Sequence, residues 1–254
     1  MVKCTGCGLL YVNPQPDQEE IDLGARTGAH EGEVLLDTNY APNVSHVDVY
    51  ADVLNTIYGN DFFSRQALSW LDIGCGYGEF IRALTRLSSR DAVIHGLELN
   101  ENKLRYCTSV GIRDVFGEEA LVGAEYDFIS LLNVYSHLPN PVESLQRWKQ
   151  HLSKHGEVLI QTGDWRHLRR EEFPRGLDLP DHLSFATEQI VTSILRRLGF
   201  RIVTVERRKL SAFRKRDLKF KVKDIVKLFV RRHHKLTNWY VNPWRDMWIR
   251  AKLY

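Results

Sequence analysis

Apolar residues recur along this chain with two different periods, and the alternation of those periods predicts strands and helices in turn. Short apolar runs at Ser69–Ile73, Ala92–Leu97, Tyr126–Leu132, Glu157–Gln161 and Arg201–Glu206 predict strands, and DMWIRAKL at 246–253 predicts a last one. Helical spacing separates them. Over 46–59 the apolar positions are Val49, Val53, Leu54 and Ile57; further helices are predicted over Glu79–Leu87 and Glu101–Val110. Pro141–Leu152 places Val142, Leu145 and Trp148 on one side, and Thr187–Leu198 is stopped by Gly199. Strands alternating with helices imply an α/β fold, a mostly parallel sheet with helices on both faces. Residues 1–16 predict a short ribbon or turn ending in Asn13-Pro14-Gln15-Pro16. Residues 17–45 are polar without a sustained period and predict a loop or lid. The organisation expected is an N-terminal ribbon and lid (1–45), an α/β core (46–210), a basic helical insertion (211–245) and a final core strand (246–254).

Composition narrows the class. The chain has 254 residues, 43% hydrophobic and 26% charged, as in ordinary globular proteins. There is no run of 18 or more apolar residues and no apolar signal-peptide core, so the expected location is the cytoplasm. Four cysteines, Cys4, Cys7, Cys75 and Cys107, are too few for a disulfide scaffold. The net charge of +3 is unevenly spread: residues 201–254 hold 17 Lys and Arg against 4 Asp and Glu. Within 211–235, Leu218, Val222, Ile225, Val226 and Phe229 share a helical face ringed by lysines. That basic amphipathic helix has three readings: a core-packed helix with a solvated side, an interfacial helix on an anionic membrane surface, or a nucleic-acid footprint. Trp239, Tyr240, Trp244 and Trp248 are read as packing beside the final strand.

The most informative segment is Leu71-Asp72-Ile73-Gly74-Cys75-Gly76-Tyr77-Gly78, a strand end running into a glycine turn and a helix. Such a turn lies in the nucleotide crevice of open α/β sheets. Glu98, 20 residues beyond Gly78 at the end of the next strand, is placed to accept both hydroxyls of a ribose. The glycine spacing is GxGxG rather than the dinucleotide GxGxxG, and Asp72 would repel phosphate. A ligand with a ribose and a positive charge fits better, and S-adenosylmethionine has both.

With LDIGCGYG, GLELN, YDFISLLNVYSHLPNP, GEVLIQT and DHLSFATEQIVTSILRRLGF in order, the chain from Leu71 to about Phe200 resembles the class I S-adenosylmethionine-dependent methyltransferases, more narrowly the type-11/12/23 group. The resemblance implies a Rossmann-like seven-stranded sheet whose last strand is antiparallel. It implies that Asp72, Gly74 and Gly76, with Cys75 and Gly78 in the same loop, line the methionine end of the cofactor. Glu98 would hold the ribose, Leu99 flank the adenine, Gly117-Glu118 lie near the adenine amine, and Asn133 face the sulfonium. His182 would sit over the acceptor pocket as a general base oriented by Asp181, or serve structurally. His137 would brace the loop or take part in catalysis. The other histidines are read as surface residues. Cys4-x-x-Cys7 ahead of Asn13-Pro14 is similar to one knuckle of the zinc ribbon that precedes some sugar methyltransferases. Read as the second knuckle with the first absent, it is taken as a metal-free remnant, and no metal ligand set stands out elsewhere.

The expected activity is methyl transfer to a hydroxyl of a small molecule or glycan by in-line displacement, with S-adenosylhomocysteine as product. Two alternatives stay open: an RNA methyltransferase using the basic C-terminal segment, and a non-catalytic cofactor-binding scaffold. A nicotinamide dehydrogenase is disfavoured by the glycine spacing and Asp72. The oligomeric state and the acceptor are left open.

Overall fold

The computed structural model describes residues 1–27, 29–30, 33–34, 44–64, 67–117, 121, 123–165, 182–207 and 246–254. The basic segment 211–235 and Trp239, Tyr240 and Trp244 lie outside these residues. So do residues 28, 31–32 and 35–43 of the expected lid, Glu118 and Asp181.

Strand β5 (Ser69–Ile73) lies inside the main sheet, between β6 and β8. Parallel to it run β6 (Val93–Leu97) and β7 (Val115–Phe116) on one side, and β8 (Tyr126–Leu132) and β9 (Leu152–Gly163) on the other. The last strand, β12 (Asp246–Leu253), inserts antiparallel between β9 and β11 (Phe200–Arg207). The order β11-β12-β9-β8-β5-β6-β7 makes a seven-stranded Rossmann-like sheet with the expected antiparallel last strand. The two-residue β7 is too short to show a period in sequence.

Residues alternate between two cores, as the pleat requires. On one face Leu71, Ile73, Ile129, Leu131, Ile160 and Ile249 pack with Leu145 and Trp148 of α5 (Pro141–Lys149) and Val191 and Leu195 of α6 (Glu188–Arg197). On the other, Trp70, Phe128, Leu159 and Trp248 are covered by α2 (Val44–Tyr58) and α3 (Glu79–Leu87). Because both faces are buried, the strands read as near-continuous apolar runs, which is why they were legible. Helix α4 (Glu101–Ser109) lies beside β7. Among the described residues no helix is long and apolar enough to cross a membrane.

The N-terminal region departs from expectation. Residues Gln18–Thr27 form a helix, α1, where a loop was predicted. Its start is a capping box: Asp17 Oδ1 accepts from the Glu20 N–H at 2.9 Å and Glu20 Oε2 from the Asp17 N–H at 3.3 Å. The helix packs against α4 and against a hairpin of β3 (Ala29–His30) and β4 (Glu33–Val34). The expected ribbon forms from β1 (Val2–Lys3) and β2 (Leu10–Tyr11), but it does not stand alone. Strand β10 (Ser184–Phe185) adds to the outer edge of β2, making a second, three-stranded sheet.

Candidate functional site

At the C-terminal end of β5 the chain turns back sharply. The N–H groups of Gly74 and Cys75 both donate to the Leu97 carbonyl, at 2.7 and 3.0 Å, which ties the turn to the end of β6. Gly74, Gly76 and Gly78 all have left-handed φ, at 67°, 59° and 76°. A Cβ at Gly74 would meet Val134 Cγ2 at 2.5 Å, and one at Gly78 would meet Ile112 Cδ1 at 2.5 Å. At Gly76 a Cβ would meet no described atom within 4 Å. Two of the glycines are therefore demanded by packing. The third presents bare backbone to open space, where a ligand can approach it closely.

Glu98 closes the other side of this space. It is 7% exposed. Its Oε2 accepts from the Gly76 N–H and its Oε1 from the Asn100 N–H, both at 2.8 Å. Asn100 in turn caps α4, its Oδ1 accepting from the N–H groups of Asn102 and Lys103. Each carboxylate oxygen keeps acceptor capacity beyond the bond it already makes. The Glu98 N–H donates to Phe116 O at 3.2 Å, so Leu99 and Gly117 share this end of β6 and β7.

Asp72 sits on the other side of the glycine turn, 2% exposed. Ser130 Oγ donates to its Oδ1 at 2.6 Å and itself receives the Trp70 indole N–H at 2.9 Å. Burial pushes the Asp72 carboxyl up to about 7, against the Ser130 hydrogen bond and with help from the nearby Glu98 and Glu79 charges. Tyr50 of α2 faces the same group. Burial first, then the Asp72 and Glu79 charges, hold its phenol well above the usual range. Its ring is set edge-on by Phe80 at 5.4 Å and Trp248 at 6.2 Å.

Two predictions follow from this buried relay. Ser130→Ala leaves the Trp70 N–H and one Asp72 oxygen without their partner and is expected to lower stability by about 1–3 kcal/mol in denaturant unfolding. A loss within error of zero would remove the relay from the structural account. Asp72 itself gives a pH dependence. Its folded value of about 7 lies above the ordinary 3.8, so the fold favours the protonated form. The stability this confers is full below the unfolded value and is lost as pH rises through the folded one. Wild type minus Asp72→Asn should therefore show unfolding free energy falling with pH between those two values, at no more than ~1.4 kcal/mol per pH unit. Parallel profiles for the two proteins would refute it.

Beyond β8 the chain builds the second half of the site. Asn133 adopts φ 60°, a left-handed conformation Asn tolerates better than most residues, and its N–H donates to Gln161 O at 3.0 Å. A single 3-10 turn, Tyr135–His137, follows. His182 comes to it from the other side: Ser136 Oγ lies 3.0 Å from His182 Nδ1, and the His137 and His182 rings meet tilted by 36° with centroids 4.5 Å apart. The two predicted histidines are thus brought together. The group the structure shows on the His182 ring nitrogen is Ser136, which sequence reasoning did not single out.

The scaffold under this pair is the N-terminal ribbon. Leu183 N–H donates to Ser136 O at 2.8 Å, and Val12 N–H to Leu183 O at 2.9 Å. Gln15 Nε2 reaches Pro139 O at 3.2 Å. Phe185 and Trp165 meet edge to face at 4.5 Å beside His182. Arg207 braces this wall by pairing with both Asp164 and Glu188. At the ribbon tip the Cys4 thiol is lowered by the N–H groups of Cys7 and Gly6 and by the Cys7 thiol. Among the described residues no group of three or more His, Cys, Asp and Glu is placed to hold a metal ion. His95 corrects the surface reading of the other histidines: it is half-buried, its Nδ1 2.8 Å from the Tyr126 hydroxyl.

A crevice at the carboxyl ends of β5, β6 and β8, with bare glycine backbone between two buried carboxylates, lies where open α/β sheets bind their ligands. A family model described as a methyltransferase domain matches residues 48–205, and the chain belongs to that family. It is an enzyme class that takes its methyl group from S-adenosylmethionine. The fold is similar to that of a S-adenosylmethionine-dependent methyltransferase from Archaeoglobus fulgidus, at 19% identity and a TM-score of 0.58 over 86% of this chain and 98% of that one. It is similar to the plantazolicin methyltransferase BpumL in complex with S-adenosylhomocysteine, at 13% identity and a TM-score of 0.56 over 92% and 94% of the two chains. It is also similar to the [4+2]-cyclase SpnF, at 16% identity and a TM-score of 0.55 over 81% and 80%. No protein of curated function matches the sequence.

Proposed function

We propose that the chain methylates a hydroxyl of a small molecule or glycan, with the cofactor in the crevice between Glu98 and Asp72 and the acceptor beside His182. The observation that carries the cofactor half is the pair Glu98–Gly76: a carboxylate locked by two backbone N–H groups at the rim of an open backbone cradle. These residues suit the cofactor's chemistry. Glu98 has the spare lone pairs for two ribose hydroxyls. Leu99 and Gly117 flank the space for an adenine, and Glu118 is carried in the same role. Gly74, Cys75, Gly76 and Gly78 let the chain pass close to the ligand. Asp72, with Asn133 across the turn, supplies negative and polar groups toward the methionine end. When bound, the cofactor supplies an electrophilic methyl group on a positively charged sulfur. A cation near Asp72 favours its ionised form, so the carboxyl that burial pushes toward its protonated form becomes a partner for the ligand.

On the acceptor side His182 is the group proposed to take the hydroxyl proton. If Nδ1–H is donated to Ser136 Oγ, Nε2 is left with its lone pair, the arrangement a general base requires. His137 packs tilted against the ring and restricts its rotation. Asp181 keeps the orienting role read from the sequence. The walls beside this pair are Phe185 and Trp165, and the acceptor is a compact molecule rather than a polymer surface. The fold neighbour BpumL is named as a plantazolicin methyltransferase, and this chain is proposed to share methyl transfer with it. The fold of SpnF, named for a cyclisation, keeps the second reading alive: a site that binds cofactor without transferring its methyl group.

The test is calorimetric titration with S-adenosylhomocysteine, then a screen of sugars, nucleotide sugars and small alcohols for methylated product. Binding followed by product supports the proposal. Binding with no product from any hydroxyl acceptor favours the scaffold reading. NADH binding in place of S-adenosylhomocysteine would overturn both.

A further inference from the structure

Two of the four cysteines meet beneath the cofactor loop. Cys75 lies within the glycine turn and Cys107 on α4; they are 6% and 0% exposed. The Cys107 thiol donates to the carbonyl of Gly76, the residue next to Cys75, at 3.5 Å, and the two thiols influence each other, Cys75 being raised and Cys107 lowered by its neighbour. The same Gly76 peptide unit gives its N–H to Glu98. The thiol pair is therefore one hydrogen bond away from the carboxylate assigned to the ribose. We propose that Cys75 and Cys107 are a redox-sensitive pair that closes to a disulfide under peroxide and thereby weakens cofactor binding.

The surroundings decide where such a bond would pull. Cys75 is backed by the sheet: a Cβ at Gly96 would lie 2.8 Å from its sulfur and 2.6 Å from Ile81 Cδ1. Cys75 has no room to yield in that direction. A covalent S–S bond is far shorter than any non-bonded contact between two sulfurs, so the difference is made up by α4 and by the turn. Cys107 also lies close under Gly78, whose Cβ would stand 3.4 Å from its sulfur. Closing the pair removes both S–H donors, strips the Gly76 carbonyl of its partner, and shifts the peptide whose N–H orients Glu98.

The chemistry balances with one equivalent of hydrogen peroxide. Cys107 is the better nucleophile, because the Cys75 hydrogen bond favours its thiolate. Its sulfur attacks a peroxide oxygen, the O–O bond breaks, and hydroxide leaves to become water with the thiol proton. The Cys75 sulfur then attacks the resulting sulfenic acid, the S–O bond breaks, and a second water departs with the Cys75 proton. Two thiols lose two electrons, and the peroxide gains them. There is open space where a Cβ would stand at Gly76, and a ligand seated there would cover the turn that holds Cys75.

The affinity part rests on the cofactor reading above; the disulfide does not. The experiment uses the full chain carrying Cys4→Ser and Cys7→Ser, which removes the ribbon thiols, together with wild type for peptide mapping. Each is treated with hydrogen peroxide with and without S-adenosylhomocysteine, then unfolded, alkylated and weighed. The expected result is a mass lower by two hydrogens with no alkyl adduct, a cross-linked peptide joining Cys75 to Cys107, and slower formation with the ligand present. S-adenosylhomocysteine affinity should fall about tenfold or more and return with dithiothreitol. Cys107→Ser should keep its affinity through the same treatment. Two alkyl adducts after oxidation, sulfinic acid without cross-link, or a disulfide that leaves affinity unchanged would each overturn the proposal. Failure of the reduced protein to bind S-adenosylhomocysteine would count against the cofactor reading alone, since the mass result stands without it.

Discussion

Glu98→Ala is expected to abolish measurable S-adenosylhomocysteine binding, a loss of about 10²–10⁴-fold. The magnitude comes from the bonds at stake. Two hydroxyls donating to a carboxylate in a largely water-excluded site contribute ~1.5–3 kcal/mol each, and their loss compounds. The alanine also leaves the Gly76 and Asn100 N–H groups, each now 2.8 Å from a Glu98 oxygen, without their acceptor. The turn then loses its anchor to β6 on that side. Glu98→Gln gives the finer result. One amide oxygen can accept where two carboxylate oxygens did, and the NH₂ group faces a donor. An intermediate loss is expected. Calorimetry on protein shown to be folded by its denaturant midpoint separates a site effect from unfolding. Affinity within a few-fold of wild type in the alanine variant would remove Glu98 from the site.

The legibility of this molecule follows from burial on two faces. β5, β8 and β12 are apolar on both sides of the pleat, and α3 begins where Gly78 ends the turn, so periodicity and the glycine spacing placed them correctly. Helix α1 was missed for the opposite reason: of its ten residues only Gly24 is buried, so it has no apolar stripe to reveal it. The Asp17 to Glu20 capping box was the signal available. At the crevice, positions set by local backbone geometry were legible: Gly74, Gly76 and Gly78 sit at fixed offsets from the end of β5, and Glu98 just past the end of β6. Residues whose role depends on chain crossings were not. Ser130 reaches Asp72 from the next strand, Ser136 reaches His182 across 46 positions, and Cys107 reaches the glycine turn from a separate helix. Nothing local marks them. The ribbon is the clearest case: its strands are short and its cysteines suggest a metal module, yet its structural place is set by β2 pairing with β10 under His182.

That placement sharpens the largest effect expected on turnover. His182→Ala should lower methyl transfer by about 10²–10⁴-fold, the usual range for a general base, while S-adenosylhomocysteine affinity stays within about twofold. The two readouts are separable because His182 lies on the β8 and β10 side, away from Glu98. Ser136→Ala tests the positioning. Without the hydroxyl 3.0 Å from Nδ1, the ring loses the partner that fixes its tautomer, and an intermediate loss of kcat with unchanged cofactor affinity is expected. A base is needed only as far as the acceptor hydroxyl holds its proton. Among related acceptors the His182→Ala defect should therefore shrink as the hydroxyl becomes more acidic, and be smallest for a phenol. A defect of equal size for every acceptor would point to lost packing against His137 and Phe185 instead, and full activity in His182→Ala would end its candidacy as the base.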